Sequence, residues 1–454
     1  MKISIMNNKI TKKILIIFFW LVVWEVVSLF VDNSILMAGP IETVRAIWSN
    51  MTDSIFVLTV LNSFFRIGLG FIAAFILGGL FGFLAFKYSV FRDVFMPLVN
   101  VIKAIPVASF VVLLLIWAGS GYLAFYISFL IAFPTIFINT DAGLRSADEK
   151  LLKMSHTFCF SGWETFVFIY RESLKPFIIS SVKTTGGMAW KAGVAAEVIG
   201  LPQFAIGTQI YNSKIYLETD SLFAWTLMVI LLSFIFEKIC IILLNFMFNI
   251  KPKVRNHKRS RSGEGNSAGL CFENISVKYD EHIILDNISC CFEPGKTYVL
   301  RGESGVGKTT LLNEFQKRSN CGAAMVFQED CLLENYDGIT NILLGNDTVK
   351  PDVAEDELKR LISQKDLSKP VSEYSGGMKR RIAVLRAVFN GAGLILMDEP
   401  FTGLDYENKR ELVSLIERYK ANRILVVTSH DSEAVMMIHG IEMELQNGRL
   451  KSLY

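Results

Sequence analysis

GESGVGKT, at residues 302–309, is the stretch that decides the fold of the second half of the chain. It follows a strand-like run, KTYVL at 296–300, and precedes a helical pattern at 310–318, which is the context that a phosphate-binding loop requires. In such a loop the backbone N–H groups surround phosphates, a lysine lies near the β- and γ-phosphates, and a threonine hydroxyl meets Mg²⁺. The residues expected to contact the nucleotide are Gly302, Glu303, Ser304, Gly305, Val306, Gly307, Lys308, Thr309 and Thr310.

Two further apolar runs end in residues suited to phosphate chemistry. LILM at 394–397 is typical of a buried parallel strand, and Asp398 and Glu399 follow it. We expect Asp398 to hold Mg²⁺, and Glu399 to polarise an attacking water. The second run, at 424–427, leads to His430, which is expected to contact the γ-phosphate or to position Glu399. Lys308, Glu399 and His430 are therefore the predicted catalytic residues.

The order of the motifs resembles that of ATP-binding cassette (ABC) ATPases, over residues 269–454. VFQED, YSGGM, LILMDEP, FTGLD and TSH follow the phosphate loop in that order. The resemblance implies an α/β domain that hydrolyses ATP with Mg²⁺. It further implies that Gln328 senses Mg²⁺ and the membrane domain, and that Tyr279 stacks on adenine. Ser375, Gly376 and Gly377 match the signature motif, which would complete the ATP site of a second subunit. Asp405 matches the D-loop aspartate and is expected among the nucleotide-binding residues.

This chain departs from the ABC pattern in places that spare the phosphate contacts. Tyr374 stands where leucine is usual, and Met378 where glutamine is frequent. The stretch between Gln328 and Ser375 is short, which predicts a small helical subdomain. Since the expected catalytic residues are all present, the resemblance implies an active ATPase.

Composition separates the chain into two unlike halves. Of the 454 residues, 52% are hydrophobic and 20% are charged, and the mean hydropathy is +0.40. Residues 1–268 have a net charge of +9 and residues 269–454 a net charge of −6. We predict a membrane domain at 1–250, a flexible basic linker at 251–268 and an ATPase domain at 269–454. The seven cysteines form no CxxC motif, so we expect neither a zinc site nor a disulfide framework.

The first half has six stretches that are apolar enough to be membrane-spanning helices, at 14–31, 56–86, 94–118, 122–140, 174–199 and 222–249. With the amino terminus inside, 17 lysines and arginines fall on the cytoplasmic side and 2 on the other. The positive-inside bias therefore places the amino terminus and the ATPase in the cytoplasm. The predicted fold class is an all-α polytopic membrane domain followed by an α/β domain.

The fifth stretch carries a small, partly polar stripe that includes Ser180, Thr184 and Lys191 at helical spacing. A charge in the middle of a span is costly, so Lys191 should face protein or water. One hypothesis is that this stripe lines the substrate pathway and that Lys191 meets an anion. The other is that Lys191 forms a structural ion pair with Glu197, Glu25 or an acid on another helix.

The first half resembles permeases of nitrate, taurine and sulfonate importers, over residues 14–249. LNSFFRIGLGF at 61–71, KAIPVASFVVLLLIWAG at 103–119, FPTIFINTDAGL at 133–144 and GGMAWKAGVAAEVIG at 186–200 carry that resemblance. The polar loop at 141–173 matches the position of their coupling helix. Its usual Glu-Ala-Ala…Gly core is degraded here to Lys153, Ser155 and Cys159.

Together the two resemblances imply an ATP-driven importer in a bacterial plasma membrane. A second copy or a homologous half would pair with the chain, and an extracellular binding protein would deliver the solute. The substrates implied are sulfonates, taurine, nitrate, and vitamin or pyrimidine precursors. An exporter and a membrane-bound ATPase sensor are the alternatives. The basic run beside a membrane end indicates lipid headgroups rather than nucleic acid.

Overall fold

Helices form the first part of the chain, in a computed structural model that describes residues 2–33, 35–250, 252, 269–279, 282–319, 322–346 and 349–452. They are α1 (Lys2–Val31), α2 (Pro40–Thr52), α3 (Phe56–Lys87), α4 (Ser89–Ala104), α5 (Val107–Ala118), α6 (Leu123–Arg145), α7 (Glu149–Thr157), α8 (Gly162–Thr165), α9 (Arg171–Gly200), α10 (Ile206–Ile215) and α11 (Thr219–Asn249). Apart from Pro252, the predicted linker at 251–268 lies outside the described residues.

Strands and helices alternate after residue 269. They are β1 (Leu270–Tyr279), β2 (His282–Phe292), β3 (Thr297–Arg301), α12 (Lys308–Arg318), β4 (Ala323–Val326), α13 (Gly338–Leu343), α14 (Pro351–Leu361), α15 (Gly376–Phe389), β5 (Leu394–Asp398), α16 (Tyr406–Lys420), β6 (Ile424–Thr428), α17 (Ser432–Ile438), β7 (Ile441–Gln446) and β8 (Arg449–Ser452). The predicted strands and the predicted helix around the phosphate loop are confirmed, with ends that differ by at most two residues.

The chain divides into two units. The helical unit comprises Met1–Ser146 and Glu172–Ile250, and the α/β unit comprises Ala147–Arg171 and Lys251–Tyr454. The segment Ala147–Arg171, which we call the loop segment, lies within the polar loop at 141–173 that was predicted as a cytoplasmic part of the membrane half. It contains α7 and α8, and it packs as part of the α/β unit.

The predicted count of six spans is not reached. Among the described residues, four helical stretches are long and apolar enough to cross a membrane, namely Thr11–Val31, Phe56–Lys87, Ser120–Arg145 and Thr219–Asn249. Helices α4 and α5 are apolar enough together, but they bend by 100° at the break between them. If this bent pair counts as one span, it is the fifth. The fifth predicted span corresponds to α9, which is long enough with 30 residues. It is too polar to count as a clear membrane span, because its lysine, serine, threonine and glycine residues lower its hydropathy.

Small residues bring α3 and α6 into close contact in the helical unit. A Cβ atom added to Gly82 would lie 2.6 Å from Thr140 Cβ and 2.8 Å from Phe137 O, and one added to Gly78 would lie 3.1 Å from Ile136 Cβ. Gly78 and Gly82, four residues apart on α3, therefore form a small-residue packing motif against α6.

A six-stranded sheet in the order β4-β5-β6-β3-β7-β8 forms the centre of the α/β unit. Strand β3 pairs in parallel with both β6 and β7, and β5 pairs in parallel with β6. The carboxyl ends of β3, β5 and β6 consequently meet at one edge of the sheet. This topology brings the phosphate loop, Asp398 and His430 together from stretches far apart in sequence.

The expectation that the cysteines form no disulfide framework is wrong, since Cys271 is bonded to Cys291 and Cys159 is disulfide-bonded as well. Strands β1 and β2 form an antiparallel pair in which Cys271 lies opposite Cys291, and these two residues are disulfide-bonded, with their Cα atoms 4.0 Å apart. Residues directly opposite on antiparallel strands bring their Cβ atoms close. That register depends on tertiary pairing, which the spacing of the two cysteines along the chain does not reveal.

Candidate functional site

The phosphate loop connects the end of β3 to the start of α12. Gly302 and Gly307 have φ values of +154° and +105°, which favour glycine because other residues would be strained there. A Cβ atom on Gly302 would lie 2.6 Å from Leu445 O, and one on Gly307 would lie 2.8 Å from Ile284 Cγ2. Glycine is therefore needed at both positions, because of the positive φ and because a side chain would clash with its neighbours. The loop exposes backbone N–H groups at the start of α12.

Lys308 begins α12, and its side chain is buried inside the loop. Its Nζ donates hydrogen bonds to Gly302 O at 2.8 Å and Glu303 O at 2.9 Å, and it lies 2.9 Å from His430 Nε2. Burial lowers the pKa of the Lys308 ammonium below its ordinary value, while the carboxylates of Glu399 and Asp398 partly oppose that shift. An anionic phosphate beside this ammonium would compensate its desolvation.

Asp398 lies at the end of β5, where two threonine hydroxyls hold its carboxylate. Thr309 Oγ1 donates to Asp398 Oδ2 at 2.7 Å, and Thr428 Oγ1 donates to Asp398 Oδ1 at 2.7 Å. The side chain of Asp398 is almost fully buried. Thr428 is the first residue of the TSH motif, but a role was predicted only for His430 of that motif, although the position of Thr428 at the end of the strand beside β5 was an available signal.

Glu399 follows Asp398 and adopts a backbone conformation unusual for a non-glycine residue, with φ of +48°. Its N–H donates to Thr428 Oγ1 at 3.0 Å, and its Oε2 accepts from Thr402 Oγ1 at 3.1 Å. Its Oε1 lies 3.4 Å from His430 Nε2. These contacts hold Glu399 in its strained backbone conformation, with its carboxylate directed toward His430 and the phosphate loop.

Gln328 lies in the same region as Thr309 and Asp398. It follows β4 and lines a cavity of about 180 Å³ together with Thr309 and Asp398. Their hydroxyl, carboxylate and amide oxygens are the kinds of ligand that Mg²⁺ takes. Among the described residues no cluster of three or more His, Cys, Asp or Glu side chains could hold a metal, so phosphate oxygens and water would have to complete the coordination.

Three predicted elements lie away from this cluster or outside the described atoms. Ser375 caps α15, accepting a hydrogen bond from Met378 N at 3.3 Å, and Asp405 caps α16, accepting from Asn408 N at 2.9 Å. Ser375, Gly376 and Asp405 are exposed, and within the described chain no hydrogen bond joins them to the phosphate loop. Of Tyr279 the structure describes only the backbone, so its predicted adenine contact lies outside the described atoms.

The loop segment packs against the α/β unit through aromatic residues that the sequence did not single out. Phe158 is fully buried, and the guanidinium of Arg386 lies 4.7 Å from its ring centroid. The ring of Phe168 lies 5.1 Å from that of Tyr336. Lys150 Nζ contacts Glu329 Oε1 at 2.6 Å, next to Gln328. The loop segment therefore reaches the cavity that Thr309 and Asp398 line.

A second cavity, of about 540 Å³, lies in the helical unit between α4, α5, α6 and α9. Lys191 lines it, together with Lys103 from the end of α4. Ser180 and Thr184 are exposed on the same helix as Lys191 but do not line the cavity. We call this space the lysine cavity.

The proposed ion pair between Lys191 and Glu197 does not form. Glu197 is buried and accepts hydrogen bonds from Ser63 Oγ at 2.8 Å and Gly207 N at 3.1 Å. Among the described residues Lys191 has no acidic partner. The hypothesis that Lys191 forms an ion pair with Glu197 is therefore wrong. The Glu197 carboxylate instead joins α9 to α3 and to the start of α10.

Comparisons with known proteins agree with this division of the chain. Residues 285–402 match the family described as ABC transporter, and residues 66–256 match the binding-protein-dependent transport system inner membrane component. A taurine import ATP-binding protein of Chromobacterium violaceum is 32% identical over 199 residues, covering 38% of this chain and 76% of that protein.

Two further similar proteins also match part of the chain. An aliphatic sulfonates import ATP-binding protein of Rhodococcus jostii is 30% identical over 190 residues, covering 38% of this chain and 77% of that protein. A solved dimeric ATP-binding cassette with ADP and phosphate bound is 20% identical, with a TM-score of 0.36, and covers 41% of this chain and 99% of that one.

Proposed function

The chain belongs to the ABC transporter family, as a multi-pass permease domain and an ABC ATPase domain in one polypeptide, and on that premise we propose that it imports a small solute by hydrolysing ATP. The observation that carries the proposal is the meeting of Lys308, Asp398, Glu399 and His430 at the ends of three adjacent parallel strands. The bacterial plasma membrane is the proposed location, with the ATPase in the cytoplasm.

Hydrolysis would use these side chains in distinct roles. The Lys308 ammonium, which hydrogen-bonds loop carbonyls, would turn to the β- and γ-phosphates. Glu399 would accept the proton of the attacking water, and His430, 3.4 Å from its carboxylate, would orient it. Mg²⁺ bound by Thr309, Asp398 and Gln328 would neutralise phosphate charge.

Two copies of the chain would share each ATP site. Ser375, Gly376 and Asp405 are exposed at or near the first turns of α15 and α16. The N–H groups at a helix start favour an anion, so this surface is suited to the phosphates of a nucleotide held by the partner. A homodimer would supply both halves of each site, and a homologous second half would serve equally.

The loop segment would transmit the ATPase cycle to the membrane domain. Its Phe158 and Phe168 are packed against the ATPase core, and Lys150 contacts Glu329, the neighbour of Gln328. A change at Gln328 when nucleotide binds or leaves would move this segment with it. The membrane domain would open alternately to the two sides of the membrane, and an extracellular binding protein would deliver the solute to it. The import proteins among the relatives support this direction of transport.

A complementation assay tests the shared sites. Lys308→Ala and Ser375→Arg are each expected to abolish ATP hydrolysis by the purified full-length protein. Co-expressed, the two inactive chains form mixed dimers in which one site pairs an intact phosphate loop with an intact signature motif. Partial hydrolysis by the isolated mixed dimer supports the proposal. No recovery in a dimer shown to be mixed, or hydrolysis by a monomer, overturns it.

Solute movement tests the transport part. Proteoliposomes containing the full chain should move solute only with ATP on the side of the ATPase domain. Normal ATP hydrolysis without any movement of the solutes named above, in the presence of a binding protein, would favour the sensor instead.

A further inference from the structure

A basic face of the loop segment borders the cavity of the proposed Mg²⁺ ligands. Lys150 and Lys153 both line this cavity of about 180 Å³, as do Thr309, Gln328 and Asp398. The two lysines are three residues apart on α7, and residues at that spacing are neighbours on one side of a helix. Helix α7 therefore presents two ammonium groups to the place where a magnesium-bound phosphate would lie.

The two lysines differ in their partners. Lys150 Nζ donates to both carboxylate oxygens of Glu329, each at 2.6 Å, so an acid already balances its charge. Lys153 is exposed, and among the described residues its side chain forms neither a hydrogen bond nor an ion pair. Because the lysine stem is long and flexible, Lys153 can turn to an anion in the cavity without breaking any contact of the described chain.

A neighbouring face of α7 anchors this helix in the core of the α/β unit. Met154 of α7 and Phe158, which directly follows α7, are fully buried. They pack in the same hydrophobic cluster as Val326, the last residue of β4 and two positions before Gln328. The backbone at Lys153 is thereby held at a fixed place beside the cavity, and a charge on a rigid element is better positioned than one on a free loop.

Lys153 also reverses the charge that the permease resemblance leads one to expect. The permeases that the first half resembles usually have glutamate at the start of the Glu-Ala-Ala…Gly core, where this chain has Lys153. A carboxylate beside this cavity would repel a phosphate, whereas an ammonium attracts it. The departure therefore changes the loop segment in the direction that favours phosphate binding.

We propose that Lys153 contacts the γ-phosphate of ATP bound at the phosphate loop of the same chain, so that the loop segment is itself part of the nucleotide site. Mg²⁺ in such sites bridges β- and γ-phosphate oxygens, and its proposed ligands Thr309 and Asp398 line the cavity that Lys153 lines. ADP lacks the γ-phosphate, so the contact forms with ATP and is lost after hydrolysis. This inference rests on the proposed ATP hydrolysis, and it gives the loop segment a direct response to the state of the nucleotide.

Binding of the non-hydrolysable ATP analogue AMP-PNP and of ADP, each with Mg²⁺, tests the contact in the full-length protein in nanodiscs by isothermal titration calorimetry. Lys153→Met should weaken AMP-PNP binding about three- to fivefold, as expected for one exposed charge contact, and leave ADP binding unchanged. Lys153→Arg should bind AMP-PNP like the wild type. Lys153→Glu should bind it more weakly than Lys153→Met, because a carboxylate repels the phosphate.

Salt dependence and a control on the same helix separate a charge contact from a structural effect. The difference between wild type and Lys153→Met should shrink when the salt concentration rises from about 0.05 M to about 0.5 M, since salt screens an exposed charge. His156→Gln is the matched control, because His156 is exposed on α7 and does not line the cavity. This variant should bind both nucleotides like the wild type.

The outcomes distinguish this inference from the proposed function. Equal weakening of AMP-PNP and ADP binding by Lys153→Met, or equal AMP-PNP binding by the methionine and arginine variants, overturns the contact. Wild-type protein that neither binds nor hydrolyses ATP overturns the proposed function. Hydrolysis by the wild type, together with AMP-PNP binding that no Lys153 substitution changes, rejects the γ-phosphate contact alone.

Discussion

The guanidinium of Arg386 lies over the ring of Phe158 with its carbon 4.7 Å from the ring centroid. Both side chains are about 1% exposed, and Arg386 also donates to Cys331 O at 2.9 Å. Phe158 belongs to the loop segment, and Arg386 to the helix that starts at the signature motif. This contact therefore joins the loop segment to the helix that, in the proposed dimer, would contact the partner's nucleotide.

Phe158→Ala should uncouple ATP hydrolysis from transport. Truncating a buried phenylalanine costs about 3–5 kcal/mol, and here the loss falls on the packing of the loop segment and leaves Arg386 with a cavity beside it. We expect basal ATP hydrolysis within about twofold of the wild type and solute movement in proteoliposomes reduced at least tenfold. Trp163→Ala, an exposed aromatic of the same segment, is the control. Equal loss in both variants, or normal transport by Phe158→Ala, would contradict the role of this contact.

Glu399→Gln should bind ATP yet hydrolyse it at least about 100-fold more slowly, because an amide cannot take the proton of the attacking water. The backbone N–H contact with Thr428 does not involve the side chain, so the fold should persist. Single-turnover hydrolysis and nucleotide binding, measured on the same sample, check both statements. Glu407→Gln, an exposed acid of α16, should be unaffected; wild-type turnover in Glu399→Gln would remove Glu399 from its role.

Gly307→Ala should abolish nucleotide binding and lower the thermal stability. Alanine would have to adopt a φ of +105° with its Cβ 2.8 Å from Ile284 Cγ2, a strain of about 1–3 kcal/mol. Fluorescent ATP-analogue binding and the melting temperature of the purified protein are the measurements. Gly162→Ala provides the comparison, because no atom lies within 4 Å of its added Cβ. If both substitutions behave alike, the glycine requirement is wrong.

Thiol labelling should follow the burial of the cysteines. Burial raises the pKa of Cys290 to about 12 and that of Cys331 to about 11. Both side chains are therefore protonated thiols at pH 8, and iodoacetamide, which needs the thiolate, should label them slowly in the folded protein. Labelling should accelerate as the pH rises toward those values and also on denaturation. Mass spectrometry of tryptic peptides counts the labels, and rapid labelling of folded protein at pH 8 would contradict the assignment.

The same labelling experiment tests the disulfide. Without reductant, Cys271 and Cys291 should stay unlabelled even after denaturation, and dithiothreitol should expose both. Labelling of either one in denatured, unreduced protein would show that the pair is not bonded in solution.

Sequence alone was sufficient wherever local pattern and chemistry coincide. Glycines that a tight loop requires, a lysine and threonine at fixed spacing, and apolar runs that end in acids predicted the phosphate site, because each signal lies within a few residues. Hydropathy also predicted a polytopic first half. It overestimated the number of clear spans, because the polar residues of α9 and the bend between α4 and α5 leave four or five that pass on apolarity.

Tertiary structure alone decided which distant residues meet. The packing of α4, α5, α6 and α9 places Lys103 and Lys191 on the same cavity, although they are 88 positions apart in the sequence. Strand register pairs Cys271 with Cys291, and packing of the loop segment brings Phe158 to Arg386. Glu197, a sequence-level partner for Lys191, instead binds the amide of Gly207. Local spacing fixes which face of an element a residue occupies, but only the packing of whole elements determines what that face touches.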